Sequence, residues 1–189
     1  GSRTLSVNGG YAVNDGNSGG NYTITTQTAS GTIAKAVLTL SAAADTKTYD
    51  ANTDSMGLVS IGGLQGSDTV TGLSQSFDSK NAGSRTLIVN GGYIVNDGNS
   101  GGNYNVTYAD NTTSTISKAN LTLSTGNVSK TYDGTLAASG TATVAGGALY
   151  HNASNGNALD SISGGSFAFT DVNAGTNKTV TKTGVTLTD

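Results

Sequence analysis

Along this chain apolar side chains fall on every second position in short runs: Leu38 and Leu40, Val59 and Ile61, Leu87 and Val89, Tyr93 and Val95, Val106 and Tyr108. Thr39, Ser60 and Thr107 stand between three of these pairs, and Ile88 and Ile94 between the other two. Period two is that of a pleated strand, so each run turns one set of side chains into a core and leaves the polar set in water. The core predicted for the best-defined stretch is Leu38, Leu40, Tyr49, Val59, Ile61, Val70, Phe77, Leu87, Val89, Ile94, Tyr104, Val106 and Ile116. Asn8-Gly9 and Asn90-Gly91 separate alternating runs, and Asn-Gly accepts the positive φ angles of a type I′ turn, which predicts a β-hairpin at each.

The pattern then repeats. Residues 1 to 22, GSRTLSVNGGYAVNDGNSGGNY, recur at 83 to 104, and only Ser6/Ile88 and Ala12/Ile94 differ. TIAKAVLTL at 32 to 40 returns as TISKANLTL at 115 to 123, and KTYD at 47 to 50 returns at 130 to 133. DTVTGLSQSFDSKNAG at 68 to 83 matches DSISGGSFAFTDVNAG at 160 to 175, the spacing there being lengthened by LYHNASNGNA at 149 to 158. A period above 80 residues is too long for one coil of a β-helix and suits a compact sandwich of several strands. The boundaries predicted are 1–36 as the C-terminal part of a repeat, 37–119 as a complete repeat and 120–189 as the N-terminal part of a third.

Composition reinforces the strand reading. All 12 acidic residues of the 189 are Asp, and Pro, Cys and Trp are absent. Asp, Asn, Gly, Ser and Thr favour turns and strands over helix interiors, so an all-β chain follows. Without Cys there is no disulfide framework, and stability has to come from burial and sheet hydrogen bonds. The net charge of -3 is scattered, which points to neither nucleic acid nor an anionic membrane surface as partner. No run approaches the ~20 apolar residues of a membrane-spanning helix. The chain opens without a signal peptide, so for a secreted protein it is expected to be an internal piece.

KTYDA at 47 to 51, KTYDG at 130 to 134, the NAG steps, GGNY at 19 to 22 and 101 to 104, and the closing I-x-K-A-x-L-T-L together resemble the YDG and MBG-type repeats of filamentous-haemagglutinin-like bacterial adhesins exported by two-partner secretion. The resemblance spans the whole chain. It implies tandem immunoglobulin-like antiparallel β-sandwich repeats in an elongated array, extracellular and held at the bacterial cell surface. Ala51 stands where the family has Gly, and NSGGNY where a shorter turn is usual.

Candidate sites are few. Tyr49-Asp50 and Tyr132-Asp133 have the residue types of a sugar site. The structural alternative is that each Tyr buries its ring with its hydroxyl bonded to backbone, while each Asp caps the following turn. Asn21-Tyr22 and Asn103-Tyr104 belong to the same repeated framework. Asp50-x-Asn52-x-Asp54 matches the opening of a calcium loop but lacks its glycine and terminal Glu, so no metal and no cofactor is expected. Asn14 to Ser18 and Asn96 to Ser100 read as Asx-rich turns. Lys47 or Lys130 could form an isopeptide bond with an Asn if a buried acid adjoined. The Thr-x-Thr pairs are too irregular for an ice-binding face. His151 is the only histidine, and with no nucleophile or orienting partner in sight it proposes no enzyme.

Two functions therefore compete. The repeats are structural spacers of a surface adhesin, with neighbouring repeats of the same chain as partners. Alternatively they bind extracellular polysaccharide, a host glycan or a partner adhesin, the best loop being Tyr150, His151, Asn152 and Asn155. Asp189 aligns with Asp97 and Asp15, so residues 120–189 lack the strands that 16–36 possess. The expectation is that a parent chain continuing in both directions supplies those strands in cis, and that in an isolated fragment residues 16–36 of one molecule can instead complete 120–189 of the next by head-to-tail self-association.

Overall fold

The computed structural model describes residues 1–151 and 158–189. Among the described residues there are sixteen strands and no helix, and the chain is all-β. The first copy of the repeat supplies β1 (Ser2–Leu5) and β2 (Ala29–Thr32). The middle copy supplies β3 (Ala36–Ser41), β4 (Thr46–Thr48), β5 (Ser60–Gly62), β6 (Thr69–Thr71), β7 (Gln75–Phe77), β8 (Gly83–Val89), β9 (Ile94–Asn96), β10 (Tyr104–Ala109) and β11 (Asn111–Ser117). Then come β12 (Thr122–Thr125), β13 (Ala137–Ala138), β14 (Ala142–Gly146), β15 (Ser161–Phe169) and β16 (Val180–Thr188). Two compact units interleave along the chain, one of Gly1–Ala42, Leu58–Ser74 and Val89–Ala109, the other of Ala43–Gly57, Gln75–Ile88 and Asp110–Asp189.

In the first unit the sheet β10-β3-β5 and the pair β6-β9 share one core. Leu38, Leu40, Val95 and Tyr104 are buried in it, and Val59, Val70, Leu73 and Val106 pack around them, as the alternating pattern requires of two facing sheets. Two expected core residues face out instead: Ile61 is 39% exposed and Ile94 60%. In β9 it is Val95 that points inward, and a one-residue change of phase moves a side chain to the opposite face.

The Asn-Gly hairpins do not form. Strand β9 pairs with β6, whereas β8 pairs with β11, so Asn90-Gly91 is a corner at which the chain leaves one sheet for another. The positive φ falls one residue later, at Gly92, and likewise at Gly10 in the first copy. A further departure from simple antiparallel alternation lies at the edges of the repeat. Strand β10 runs parallel to β3, with Val106 opposite Leu38, and β11 runs parallel to β4, with Ile116 opposite Lys47. The opening and closing strands of a repeat are joined by a long connection, which is what a parallel pair needs.

The second unit holds the sheet β4-β11-β8-β7, the pair β12-β14 and the sheet β13-β15-β16. Phe77, Leu87 and Ile116 are buried apolar residues there, and Gln75, Ser114 and Asp160 buried polar ones. Gln75 substitutes for a ladder: its amide oxygen accepts from Ala43 N at 2.8 Å and its amide nitrogen donates to Ala43 O at 2.9 Å and Ser55 Oγ at 3.0 Å. Ser114 sits at a break in the β8/β11 register, accepting from Asp45 N and donating to Asn111 Oδ1. Among the described residues no buried side-chain nitrogen or oxygen is left without a partner, as low-dielectric surroundings demand.

Candidate functional site

Both KTYD segments build the same lysine corner. Lys47 Nζ lies 2.8 Å from Asp50 Oδ1 and donates to the carbonyl of Asn52 at 2.9 Å and to its Oδ1 at 2.7 Å. Lys130 Nζ lies 2.7 Å from Asp133 Oδ1 and donates to the carbonyl of Thr135 at 2.6 Å and its Oγ1 at 3.0 Å. Each ammonium also stands near an aromatic ring at matching repeat positions, Phe77 at 5.4 Å and Phe169 at 5.8 Å. The Asp in each case receives a turn N–H two residues on, from Asn52 or Thr135, which is the capping role expected of it. Lys130 and the Thr135 N–H hold the Asp133 carboxyl well down, to about 2.

Lys47 is thus hydrogen-bonded to an Asn, but the acid beside it, Asp50, is about two-fifths exposed rather than buried. Asp54 takes no part in that corner through its carboxylate; its N–H donates to Asn52 Oδ1 and its backbone bridges to Ser76.

The two tyrosines of the motif diverge. Tyr132 is exposed. Tyr49 donates its hydroxyl at 2.8 Å to Asp160 Oδ1, a carboxylate in the following sequence repeat, rather than to backbone. Burial, then the adjoining Asp160 carboxylate, push the Tyr49 phenol up to about 12. Its ring meets Tyr150 edge-on, centroids 5.6 Å apart, and Lys80 Nζ lies 5.9 Å from its centroid. Asp160 Oδ2 accepts from Tyr150 N, and the Tyr150 carbonyl accepts from the N–H groups of Leu159 and Asp160, which closes the base of the inserted loop. His151 bridges Ala158 and is exposed; Asn152 and Asn155 lie outside the described residues. A cleft of about 370 Å³ adjoins Tyr49 and Asp160, lined also by Ala119, Leu121, Leu149 and Leu187.

The GGNY segments share a locally built loop. Asp15 accepts from the N–H groups of Gly19, Asn17 and Asn21 at 2.8, 2.8 and 3.2 Å, and Asp97 does the same with Gly101, Asn99 and Asn103 at 2.8, 2.8 and 2.9 Å. At Asp15 the Gly19 N–H leads in holding the carboxyl below its usual range; at Asp97 burial pushes the other way and the backbone donors outweigh it. Both carboxylates are consumed by backbone, which is the Asx-rich turn expected. Beyond the loop the copies differ. Tyr104 is 4% exposed, donates to Asp68 Oδ2 at 2.6 Å and accepts from Gln65 N at 2.8 Å. Tyr22 is 64% exposed.

Asp68 and Asp160 occupy the same position of the repeat. One receives the GGNY tyrosine of its own repeat and the other the KTYD tyrosine of the preceding one. Sequence reading missed this carboxylate, although its recurrence at the head of DTVTG and DSISG was a usable signal. Among the described residues no three His, Cys, Asp or Glu side chains gather as metal ligands would. The arrangement of Lys, Tyr and Asp serves to close turns and to tie one repeat to the next.

Compared with known proteins, the chain is matched twice by the family model for the YDG domain, over residues 34–114 and 117–189. No curated protein and no solved structure matches it.

Proposed function

The chain belongs to the YDG domain family, with two copies in succession, and from that premise we propose that it is a run of structural spacer repeats from a secreted bacterial surface adhesin of the filamentous-haemagglutinin type. The observation that carries this reading is that the lysines and aspartates of the KTYD segments, the aspartates ahead of GGNY, and Tyr49 and Tyr104 are spent on partners within the protein, whereas Tyr22 and Tyr132 are exposed. Lys47 and Lys130 close their own turns, Asp15 and Asp97 bind their own backbone, and Tyr49 ties to Asp160. A binding surface needs such groups turned outward and unsatisfied. The partners in this reading are neighbouring repeats, and the location is extracellular, at the bacterial surface and reached by two-partner secretion.

A second reading rests on the segment 149–158, which lengthens one loop relative to the complete repeat and brings Tyr150 and His151 to it. A spacer gains nothing from that insertion, whereas a module that contacts polysaccharide or a host glycan does. Probing a glycan array with the recombinant chain separates the two. The spacer reading expects no retained glycan; reproducible binding lost on Tyr150→Ala substitution overturns it in favour of the second.

A further inference from the structure

Tyr93 and Tyr108 stand together in the first unit, outside the KTYD and GGNY segments. Their hydroxyls share a hydrogen bond at 2.5 Å, and their rings meet edge to face, with centroids 6.3 Å apart and 64° between the planes. Tyr108 lies on β10 opposite Leu40 of β3, and Tyr93 directly precedes β9, which pairs with β6. The two phenols therefore reach toward one another from the two facing sheets of this unit. Tyr93 packs on the core of Leu38, Leu40, Val95 and Tyr104, which steadies its ring, and Tyr108 is 57% exposed.

The pair belongs to the middle repeat. Thr26 is the counterpart of Tyr108 in the first copy, and Val185 is the counterpart of Tyr93 in the last. A second ring pair, Tyr49 and Tyr150, approaches to 5.6 Å, but Tyr49 gives its hydroxyl to Asp160, so the ring carbons beside that hydroxyl lie against a carboxylate. At Tyr93 and Tyr108 hydroxyl meets hydroxyl, which brings the carbons ortho to the two oxygens near one another. Oxidised phenols couple at those carbons, and groups already held close need no search for a partner.

We propose that Tyr93 and Tyr108 are an oxidative cross-linking site, at which a one-electron oxidant joins the two phenols as dityrosine and ties β10 to the segment leading into β9. Each phenol loses one electron and its phenolic proton. The two phenoxyl radicals form a carbon–carbon bond between positions ortho to their oxygens, and the hydrogens on those positions move to the oxygens and restore both phenols. Two electrons and two protons leave in all. A haem peroxidase takes up both from the pair as it reduces one hydrogen peroxide to two waters. The chain has no Cys, so this tie between facing sheets takes the place a disulfide would have, and it restricts the unfolded chain in the same way. It stands on this pair alone, whether the chain serves as a spacer or binds a glycan.

The folded chain, dilute enough to suppress dimers, is treated with a haem peroxidase and hydrogen peroxide under conditions that convert free tyrosine to dityrosine. The expected product is a fluorescent monomer lighter by two hydrogen atoms. Cleavage ahead of Asp places Tyr93 in residues 78–96 and Tyr108 in residues 97–109, so the cross-link joins those two peptides in the mass spectrum. Tyr93→Phe and Tyr108→Phe keep the rings and remove one phenol each. With circular dichroism unchanged, either should lower the yield of the linked peptides by at least about tenfold. A monomer of unaltered mass, a cross-link that joins other peptides, or linked peptides that persist in Tyr93→Phe or Tyr108→Phe overturns the proposal.

Discussion

Ala51 holds φ of 63°, and its counterpart in the next KTYD turn is Gly134 at 74°. An L-residue there strains its Cβ against the backbone, whereas glycine is free of that cost. Ala51→Gly relieves the strain and returns part of the gain as unfolded-state entropy, a net stabilisation of about 0.5–1 kcal/mol; differential scanning calorimetry should show a melting temperature raised by roughly 1–4 °C. Tyr49→Phe acts oppositely. Removing the donor from the buried Asp160 carboxylate should cost about 1.5–3 kcal/mol, read from the urea midpoint at unchanged slope. The phenol itself is held up at about 12, against 10.0 when free, so this contact contributes below pH 10 and is lost as pH rises through 12. Ultraviolet titration of tyrosinate in the unaltered chain and in Tyr49→Phe should locate that high step. At the acid end Asp15, Asp97 and Asp133 all have lowered folded values, Asp133 to about 2 against 3.8. Each contribution is complete above the free value and fades as pH falls below it, for Asp133 between 3.8 and about 2, so a melting-temperature series should turn down below 3.8.

At the level of elements, what the sequence made legible depended on whether the information was local. The loop from Asp15 to Tyr22 and its copy could be read as Asx turns because the backbone donors to each carboxylate lie within the next six residues, and the first copy forms it without partner strands. The Asn90-Gly91 hairpin was misread because a dipeptide reports how tightly the chain can turn and not which strands it then joins. Pairing was decided by Val95 and Leu87 going to different sheets. A signal for the outward Ile94 did exist: the only differences between the two 22-residue copies, Ser6/Ile88 and Ala12/Ile94, fall at positions exposed in the middle repeat. Gln75 gave no such signal, since its repeat counterpart is Phe167 and its task, bonding both backbone groups of Ala43, is visible only in three dimensions. The β3/β5 junction carries a sharper constraint. A Cβ on Gly63 would lie 2.2 Å from the Val37 carbonyl oxygen, and one on Gly147 would lie 2.1 Å from that of Asn120. With φ of 89° and 82° added, Gly63→Ala or Gly147→Ala should each cost at least about 2 kcal/mol, measured by equilibrium denaturation.

Across the whole molecule the repeat sequence is constant while its burial is not, because a strand is only as buried as the partners that reach it. Leu5, Tyr22 and Ile33 are exposed where Leu87, Tyr104 and Ile116 are buried. The parallel edges of the middle repeat have a mechanical meaning. Its opening segment enters at residue 36 and its closing segment leaves at 117, and each of the two units holds one parallel ladder between them, β3/β10 and β4/β11. A pull applied at those two points therefore slides one strand along the other and loads their hydrogen bonds together, whereas a hairpin pulled from its open end gives them up one at a time. Under tension such a repeat yields by shear. Stretched singly in an optical trap, the 36–117 span should unfold in one abrupt event, at a force well above that of the same chain pulled through handles placed across β15 and β16 at residues 161 and 188, where the load peels the ladder from its end.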